Sequence, residues 1–392
     1  MQKAYLVLGK RTPVGSLLGS LKTFTGPQLA SIAIKGVLTD TKLAPSQIDQ
    51  VIMGNVLSCG LGQNPARQAA LLAGLDISVP CYNVNKVCAS GLKTVTMATT
   101  DIWCGLSNTV VAGGFESMTN APHFIRNMRT GVKFGDMIMN DSVSHDGLTD
   151  AYNKKAMGFC GEKTAKEMGF TREQQDEYCI SSYERCLQAN ERNLFEKEIV
   201  EVDVPKVGKL IADDEPMKYN KAKIPNLRPA FPDSNQKGTI TGANASKIND
   251  GACALLLMSE KKLKESGLQA YAEVMAFADA ETNPDDFNIC PTLAAQKALK
   301  NAGLSVKDVD YWEINEAFSV TALANIKLLD IDRNKVNVHG GAVALGHPIG
   351  MSGARILLSL MNVLRTYNGK YGVATICNGG GGATAIVIKN VN

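Results

Sequence analysis

A helix-like run, a turn, a β-branched residue followed by Asp, and then a strand-like run occur in that order twice in this sequence, once towards each end. Leu29 and Ala30 open a run leading to Leu43, followed by Ile48-Asp49 and the strand-like Val51, Ile52 and Met53. Leu293 and Ala294 open a second run leading to Leu304, followed by Val309-Asp310 and a strand reaching Glu313 and Ile314. One supersecondary order recurring at both ends predicts two duplicated halves. In both, short β-branched runs alternate with Ala/Leu helical patterns. That alternation marks βαβ units, so the expected class is α/β with mostly parallel sheet.

Between the halves, over about 114–238, the texture turns polar and irregular, with one amphipathic helix near 172–193. Long stretches of this kind inside compact domains are functional or disordered. The reading is a loop domain inserted in the first half, with a plain surface excursion as the alternative. The expected division is 1–113 with 239–267 as the first half, 114–238 as the insertion, and 268–392 as the second half. A chain of 392 residues buries a large core without disulfide staples.

Charge and composition exclude several classes. The 41 Lys+Arg and 38 Asp+Glu leave a formal +3 with no dense basic run, so no nucleic-acid partner is expected. The longest later apolar run, residues 252–258, falls far short of a membrane span. Residues 4–8, followed by Lys10 and Arg11, read as an opening strand and not a signal core. The last residues, 388–392 (IKNVN), are not a peroxisomal address of the S-K-L type. Ten cysteines without a C-x-x-C pair point to a reducing compartment. The expected location is cytoplasmic, or mitochondrial if a leader has been removed. Four histidines without metal-ligand spacing argue against zinc.

Four segments carry chemistry. Cys88, in residues 85–91 (NKVCASG), precedes a helical run at 92–104, where N–H groups and the helix dipole favour a thiolate. Its alternative is a buried structural thiol. His347 lies among glycines in 340–354 (GGAVALGHPIGMSGA), a density implying unusual backbone angles and close approach to something. Cys377 closes a strand-like run and enters 378–382 (NGGGG), which reads as an oxyanion hole beside a second thiol, or as a linker. Residues 315–318 (NEAF) stand between a strand and a helix, where Asn315 is either functional or a cap.

Together, VCASG at 87–91, NEAF at 315–318, GHP at 346–348 and CNG at 377–379 resemble the four hallmark blocks of the thiolases, in order and over essentially the whole chain. Within the family, residues 146–153 (DGLTDAYN), 276–280 (AFADA) and 350–355 (GMSGAR) are most similar to the acetoacetyl-CoA (acetyl-CoA C-acetyltransferase) type, particularly the mitochondrial form. A broad-chain 3-ketoacyl-CoA thiolase of β-oxidation shares the blocks and is the alternative; a non-catalytic thiolase-like scaffold is more remote.

The resemblance implies two βαβαβαββ halves in an αβαβα arrangement. It implies a loop domain covering coenzyme A, which enters as substrate and product, and a homotetramer joined near residues 134–141. It assigns Cys88 as acyl carrier, His347 as the group taking its proton, and Cys377 as the base for the second acetyl-CoA. His347 and a water on Asn315 would meet the enolate oxygen, and the N–H groups of Cys88 and Gly379 the acyl oxygen. Ser246, with Leu148, Met157, Ala243, Ala317 and Phe318, would line the coenzyme channel. A potassium ion would lie among Tyr183, Gly242, Ala243, Ala245 and Val343. The sequence departs from relatives at Ala156, where a His is common, and at Phe287-Asn288, where Phe-Pro is usual. Lys218, Lys221 and Lys223 are candidates for the nucleotide phosphates by charge alone.

Overall fold

Strand order makes the duplication explicit. The computed structural model describes residues 2–391, so Met1 and Asn392, the outer ends of the two expected halves, lie outside the described residues. The frame consists of β1 (Ala4–Arg11), β2 (Gln50–Gly54), β3 (Cys81–Val84), β4 (Thr109–Ser117), β5 (Asn249–Ser259), β6 (Ala272–Glu281), β7 (Tyr311–Ile314), β8 (Tyr371–Asn378) and β9 (Gly382–Asn390). They run in the order β7-β8-β9-β6-β1-β5-β4-β2-β3, with Gly15–Ser16 added against β5. The first half therefore reads β2-β4-β5-β1 and the second β7-β8-β9-β6. Senses match as well: β2/β4 and β7/β8 are parallel, and the next two pairings in each half are antiparallel. A single parallel bridge, Trp312 to Val336, stands where β3 pairs with β2 in the first half.

The sheet is mixed, which corrects the expectation of mostly parallel pairing. β8 and β9 are joined by a tight glycine turn, and so short a connection permits only an antiparallel pair. The two half-sheets also touch, through Tyr5 with Glu273 and Leu6 with Ala272, so hydrogen bonding runs continuously across the join.

Alternation along β5 explains the layers. Cys253, Leu255 and Leu257 face one core, and Ala252, Ala254, Leu256 and Met258 the other. The central core takes Leu92, Val95 and Ile102 from helix Ser90–Trp103 and Ile356, Leu357 and Leu360 from helix Ser352–Thr366. Each such side chain contributes about 1.5–3 kcal/mol by leaving water. The outer cores lie under helices Gly26–Thr41 and Cys290–Ala302, the repeated phrase of the sequence. The layering is thus αβαβα, as the resemblance implied.

The two central helices touch at their N-terminal ends. A Cβ on Gly91 would stand 2.8 Å from the Gly350 carbonyl oxygen, and one on Gly353 would stand 2.3 Å from the Leu92 nitrogen. Small residues at this crossing bring the loops carrying Cys88 and His347 against each other. The expected insertion boundary at 114 falls inside β4, which continues to Ser117. Gly114 is a packing glycine, because a Cβ there would stand 1.9 Å from the Gly350 carbonyl oxygen. Residues 118–248 leave the sheet and include helices Met157–Met168 and Arg172–Glu191, the latter close to the expected span.

Candidate active site

Cys88 sits in a turn between β3 and helix Ser90–Trp103. Val87 has φ of +47°, a left-handed value seldom taken by a β-branched residue. Ser90 holds the turn: its hydroxyl donates to the Val87 carbonyl at 2.6 Å and accepts the Lys86 N–H at 2.8 Å. Lys86 and Lys93 both reach into the second half, with Nζ atoms 2.8 and 2.6 Å from the two oxygens of Asp279 on β6. Burial pushes the Asp279 carboxyl up, but hydrogen bonds from Lys86, Lys93 and Thr384 outweigh it and hold the group at about 2. The strained turn is thereby fixed from its own helix and from the opposite half.

The resting thiol is not the thiolate that a helix N-terminus alone would favour. Burial pushes Cys88 up to about 12, against the pull of the N–H groups of Gly379 and of Cys88 itself. Both amides thus lie close enough to the sulfur to favour its charged form. Gly379 is thus brought to Cys88 as expected. Cys377 is the penultimate residue of β8, fully buried, and burial followed by the nearby Cys88 raises it well above the ordinary thiol range. Both thiols are free.

His347 is buried and follows helix Ala342–Leu345. Its N–H donates to Asn249 Oδ1 at 2.9 Å, and its Nδ1 lies 2.5 Å from Ser352 Oγ. The Ser352 hydroxyl donates its one proton to the Pro348 carbonyl at 2.9 Å. A neutral ring that donates from Nδ1–H to this hydroxyl keeps both contacts and leaves Nε2 as a bare lone pair. Burial, and then Arg355, lower the ring to about 3, so it is neutral near pH 7. Nε2 has no partner among the described residues, and neither do Oδ1 and Nδ2 of buried Asn315. The Asn315 N–H donates to the Thr375 carbonyl at 3.0 Å, which ties it beside β8, the strand that contains Cys377. It caps no helix, since the next one begins at Ser319 with Phe318 as cap.

Two buried carboxylates that sequence reasoning missed fix these loops. Glu116 accepts from Asn55 Nδ2 and from the N–H groups of Val56, Leu57 and Gly350 at 2.6–3.0 Å, and burial raises it to about 7. Glu316 accepts from Tyr178, Ser182, Asn337 and the Val343 N–H at 2.8–3.0 Å, binding helix Arg172–Glu191 to the histidine segment. Each anchors a loop from one half to a segment near His347.

The N-terminal domain signature of the thiolases matches residues 4–261, and their C-terminal domain signature matches 268–390. The chain belongs to the thiolase family. A cytosolic acetyl-CoA acetyltransferase of Gibberella zeae is 49% identical over 99% of this thiolase and 98% of its own length. A mitochondrial acetyl-CoA acetyltransferase of Bos taurus is 47% identical over 100% of this chain and 92% of its own. The Acat5 thiolase of Ascaris suum, solved in complex with coenzyme A, superposes with a TM-score of 0.94 at 43% identity, covering both chains completely.

In this thiolase two apolar clusters meet at the thiols. Leu148 packs with Val87, Cys88 and Ile349 in one, and Met157, Ala317, Phe318 and Cys377 form part of the other. Ser246 binds the Ala317 carbonyl through both its N–H and its hydroxyl, at 3.0 and 2.9 Å. Phe231, not singled out by its sequence, stands edge-on to Phe318 and Phe159 with centroids 6.3 and 5.7 Å apart. Ala156, at the cap of helix Met157–Met168, supplies no polar group. Asn288 is a buried hub: its side chain contacts Thr164 and Thr321, and its carbonyl accepts from Asn325 at 2.8 Å. A cavity of about 330 Å³ is lined by Tyr183, Lys218, Tyr219, Lys223, Ala243 and Lys247, among others. Lys221 pairs instead with Glu184 at 2.9 Å.

The expected potassium position is corrected by Lys247. Its Nζ lies 2.7 Å from the Ala243 carbonyl oxygen and 2.9 Å from those of Ala245 and Val343. Three of the five expected ligands are thus already engaged by an ammonium. A second positive charge within about 4 Å would be repelled by roughly 4 kcal/mol at an effective dielectric near 20, so the residues present do not fit a dissociable cation. Burial lowers Lys247 to about 8, with Cys179, Glu215 and Glu316 opposing, and it stays charged at neutral pH.

The histidines give a pH expectation. Burial lowers His339 to about 4 and His347 to about 3, below the unfolded value of about 6.5. Stability contributed by the neutral rings is complete above that unfolded value and is lost as pH falls towards the folded ones. The thermal midpoint should therefore drop from pH 7 to pH 5, and His339→Phe should make that drop smaller. An unchanged acid slope would remove His339 from the explanation.

Proposed function

We propose that this thiolase is an acetyl-CoA acetyltransferase, interconverting acetoacetyl-CoA plus coenzyme A with two acetyl-CoA through an acetyl group on Cys88. One observation carries the reading: the thiols of Cys88 and Cys377 lie close enough for each charge to act on the other, and the neighbouring segments carry a buried His347 Nε2 and a buried Asn315 amide, both without a partner among the described residues. In thiolysis the Cys88 proton passes to His347 Nε2, and the thiolate attacks the 3-keto carbon of acetoacetyl-CoA. The bond between the second and third carbons breaks. The enolate oxygen meets His347 Nε2–H and a water on Asn315, and the Cys377 thiol gives its proton to the enolate carbon, releasing acetyl-CoA. Coenzyme A then gives its thiol proton to Cys377 and attacks the acetyl carbonyl, whose oxygen faces the N–H groups of Cys88 and Gly379. Cys88 leaves and recovers its proton from His347. Condensation is the reverse.

Ser246, Ala243, Leu148, Met157, Ala317 and Phe318 line the coenzyme route in this reading, with Lys218 and Lys223 at the cavity that suits the nucleotide phosphates. Assembly into a homotetramer is supported by the hairpin His123–Ile125/Met139–Asp141, whose connection exposes Phe134 (98%), Met137 and Ile138. No described helix is long and apolar enough to cross a membrane. One named relative is cytosolic and the other mitochondrial, and either compartment suits the chemistry.

The reading is tested by thiolysis of acetoacetyl-CoA against a long-chain 3-ketoacyl-CoA. A preference for acetoacetyl-CoA of about ten- to two-hundredfold in kcat/KM is expected of a pocket shaped for a short chain. Equal or greater efficiency on the long chain would overturn it.

Ser352 acts through His347 as a positioning residue. Ser352→Ala should lower kcat by about ten- to a hundredfold, the cost of a lost hydrogen bond to a group that becomes charged. Nitrogen NMR should then show a mixture of ring tautomers, and Ser352→Thr should restore both. Unaltered tautomers in the Ala variant would contradict the role.

A further inference from the structure

We propose that Lys247 supplies the cation of this site from within the chain: its tethered ammonium replaces a dissociable monovalent ion and locks the coenzyme-side loop to the histidine-side helix. The side chain has three protons to donate, and three carbonyl oxygens take them, those of Ala243, Ala245 and Val343 at 2.7, 2.9 and 2.9 Å. A fourth side is closed by the Tyr183 ring, whose centroid lies 5.3 Å from Nζ. Tyr219 stacks on that ring at 4.9 Å and holds it in place.

The partners explain what the lock does. Ala243 and Ala245 belong to the loop that carries Ser246, and that serine grips the Ala317 carbonyl behind the catalytic Asn315. Val343 belongs to helix Ala342–Leu345, which leads through Gly346 into His347. The ammonium therefore couples the loop that meets the coenzyme to the segment that presents the imidazole. A free ion couples them only while bound, and its occupancy follows the medium. A tethered one has a fixed effective concentration. Catalysis by this chain is accordingly independent of potassium.

The proposal rests on the acetyltransferase reading for one readout only, the KM for acetoacetyl-CoA; the other is the thermal midpoint, which needs no activity. The full-length protein, Lys247→Ala and Lys247→Met are compared in potassium and sodium chloride at equal ionic strength. The unsubstituted protein should show the same midpoint and KM in both salts. Lys247→Ala opens space among the carbonyls, so in sodium its midpoint should fall and its KM rise by about tenfold, and potassium should restore both. Lys247→Met fills the same space without charge, so it should be impaired in both salts and potassium should not rescue it. If Lys247→Ala folds only in potassium, that supports the proposal, and failure to fold in either salt counts against it. A midpoint or KM of the unsubstituted protein improved by potassium would overturn it. So would a Lys247→Ala variant that behaves in sodium like the parent, or one that potassium leaves unrepaired. Absence of thiolysis with midpoints as expected would overturn the activity reading and leave the assignment of Lys247 standing.

Discussion

Cys88→Ala leaves no measurable turnover in either direction, a loss of about ten-thousandfold or more, because the acyl group has nowhere to reside. The fold survives the change. The turn is held by the Ser90 hydroxyl and by the Lys86 and Lys93 contacts to Asp279, none of which involves the sulfur. The variant should therefore keep a near-native thermal midpoint and still bind coenzyme A. Steady-state rates beside a coenzyme A titration check both parts, and residual activity within a hundredfold of the parent would move the acyl group elsewhere.

Cys377→Ser separates the two half-reactions. A hydroxyl keeps the shape of the buried position but is a far weaker acid and base carrier than a thiol, so condensation and thiolysis should fall by about a hundred- to ten-thousandfold. Exchange of label between coenzyme A and acetyl-CoA breaks no carbon–hydrogen bond: residue 377 has only to carry the proton of the coenzyme thiol, which His347 can carry in its place. It should persist at a rate within about tenfold of the parent, since the transition state of acyl transfer loses no donor. Equal loss in exchange and in carbon–carbon bond chemistry would remove the division of labour between the thiols.

Much of this arrangement was legible in the sequence, and the reasons are local. The helix, Ile/Val-Asp and strand phrase at 29–53 and 293–314 reappears as matching strand orders because each copy carries its own apolar periodicity. The blocks around Cys88, Asn315, His347 and Cys377 were readable because reactive side chains stand beside turns whose geometry the neighbouring residues dictate. The insertion boundary expected at 114 falls short of the strand's end at Ser117, because nothing local in the sequence shows that Gly114 admits the Gly350 carbonyl.

Other features exist only once distant segments meet. Nothing near Glu116 or Glu316 announces that each will accept four donors drawn from other elements. The positive φ of Val87 runs against the preference of its side chain and is imposed by Ser90 and the opposite half. Asn288 reads as a departure from relatives until Thr164, Thr321 and Asn325 surround it. Lys247 carries no signal in the sequence beyond its charge. Only folding sets it among carbonyls from two loops.

The division between Cys88 and Cys377 is tested most directly by finding the acetyl group. The intact protein is incubated with acetyl-CoA, quenched in acid and digested, and the peptides containing each thiol are examined by mass spectrometry. An acetyl thioester on Cys88, with Cys377 unmodified, is the expected result. An acetyl group on Cys377 with Cys88 free would reverse the two roles and contradict the mechanism at its first step.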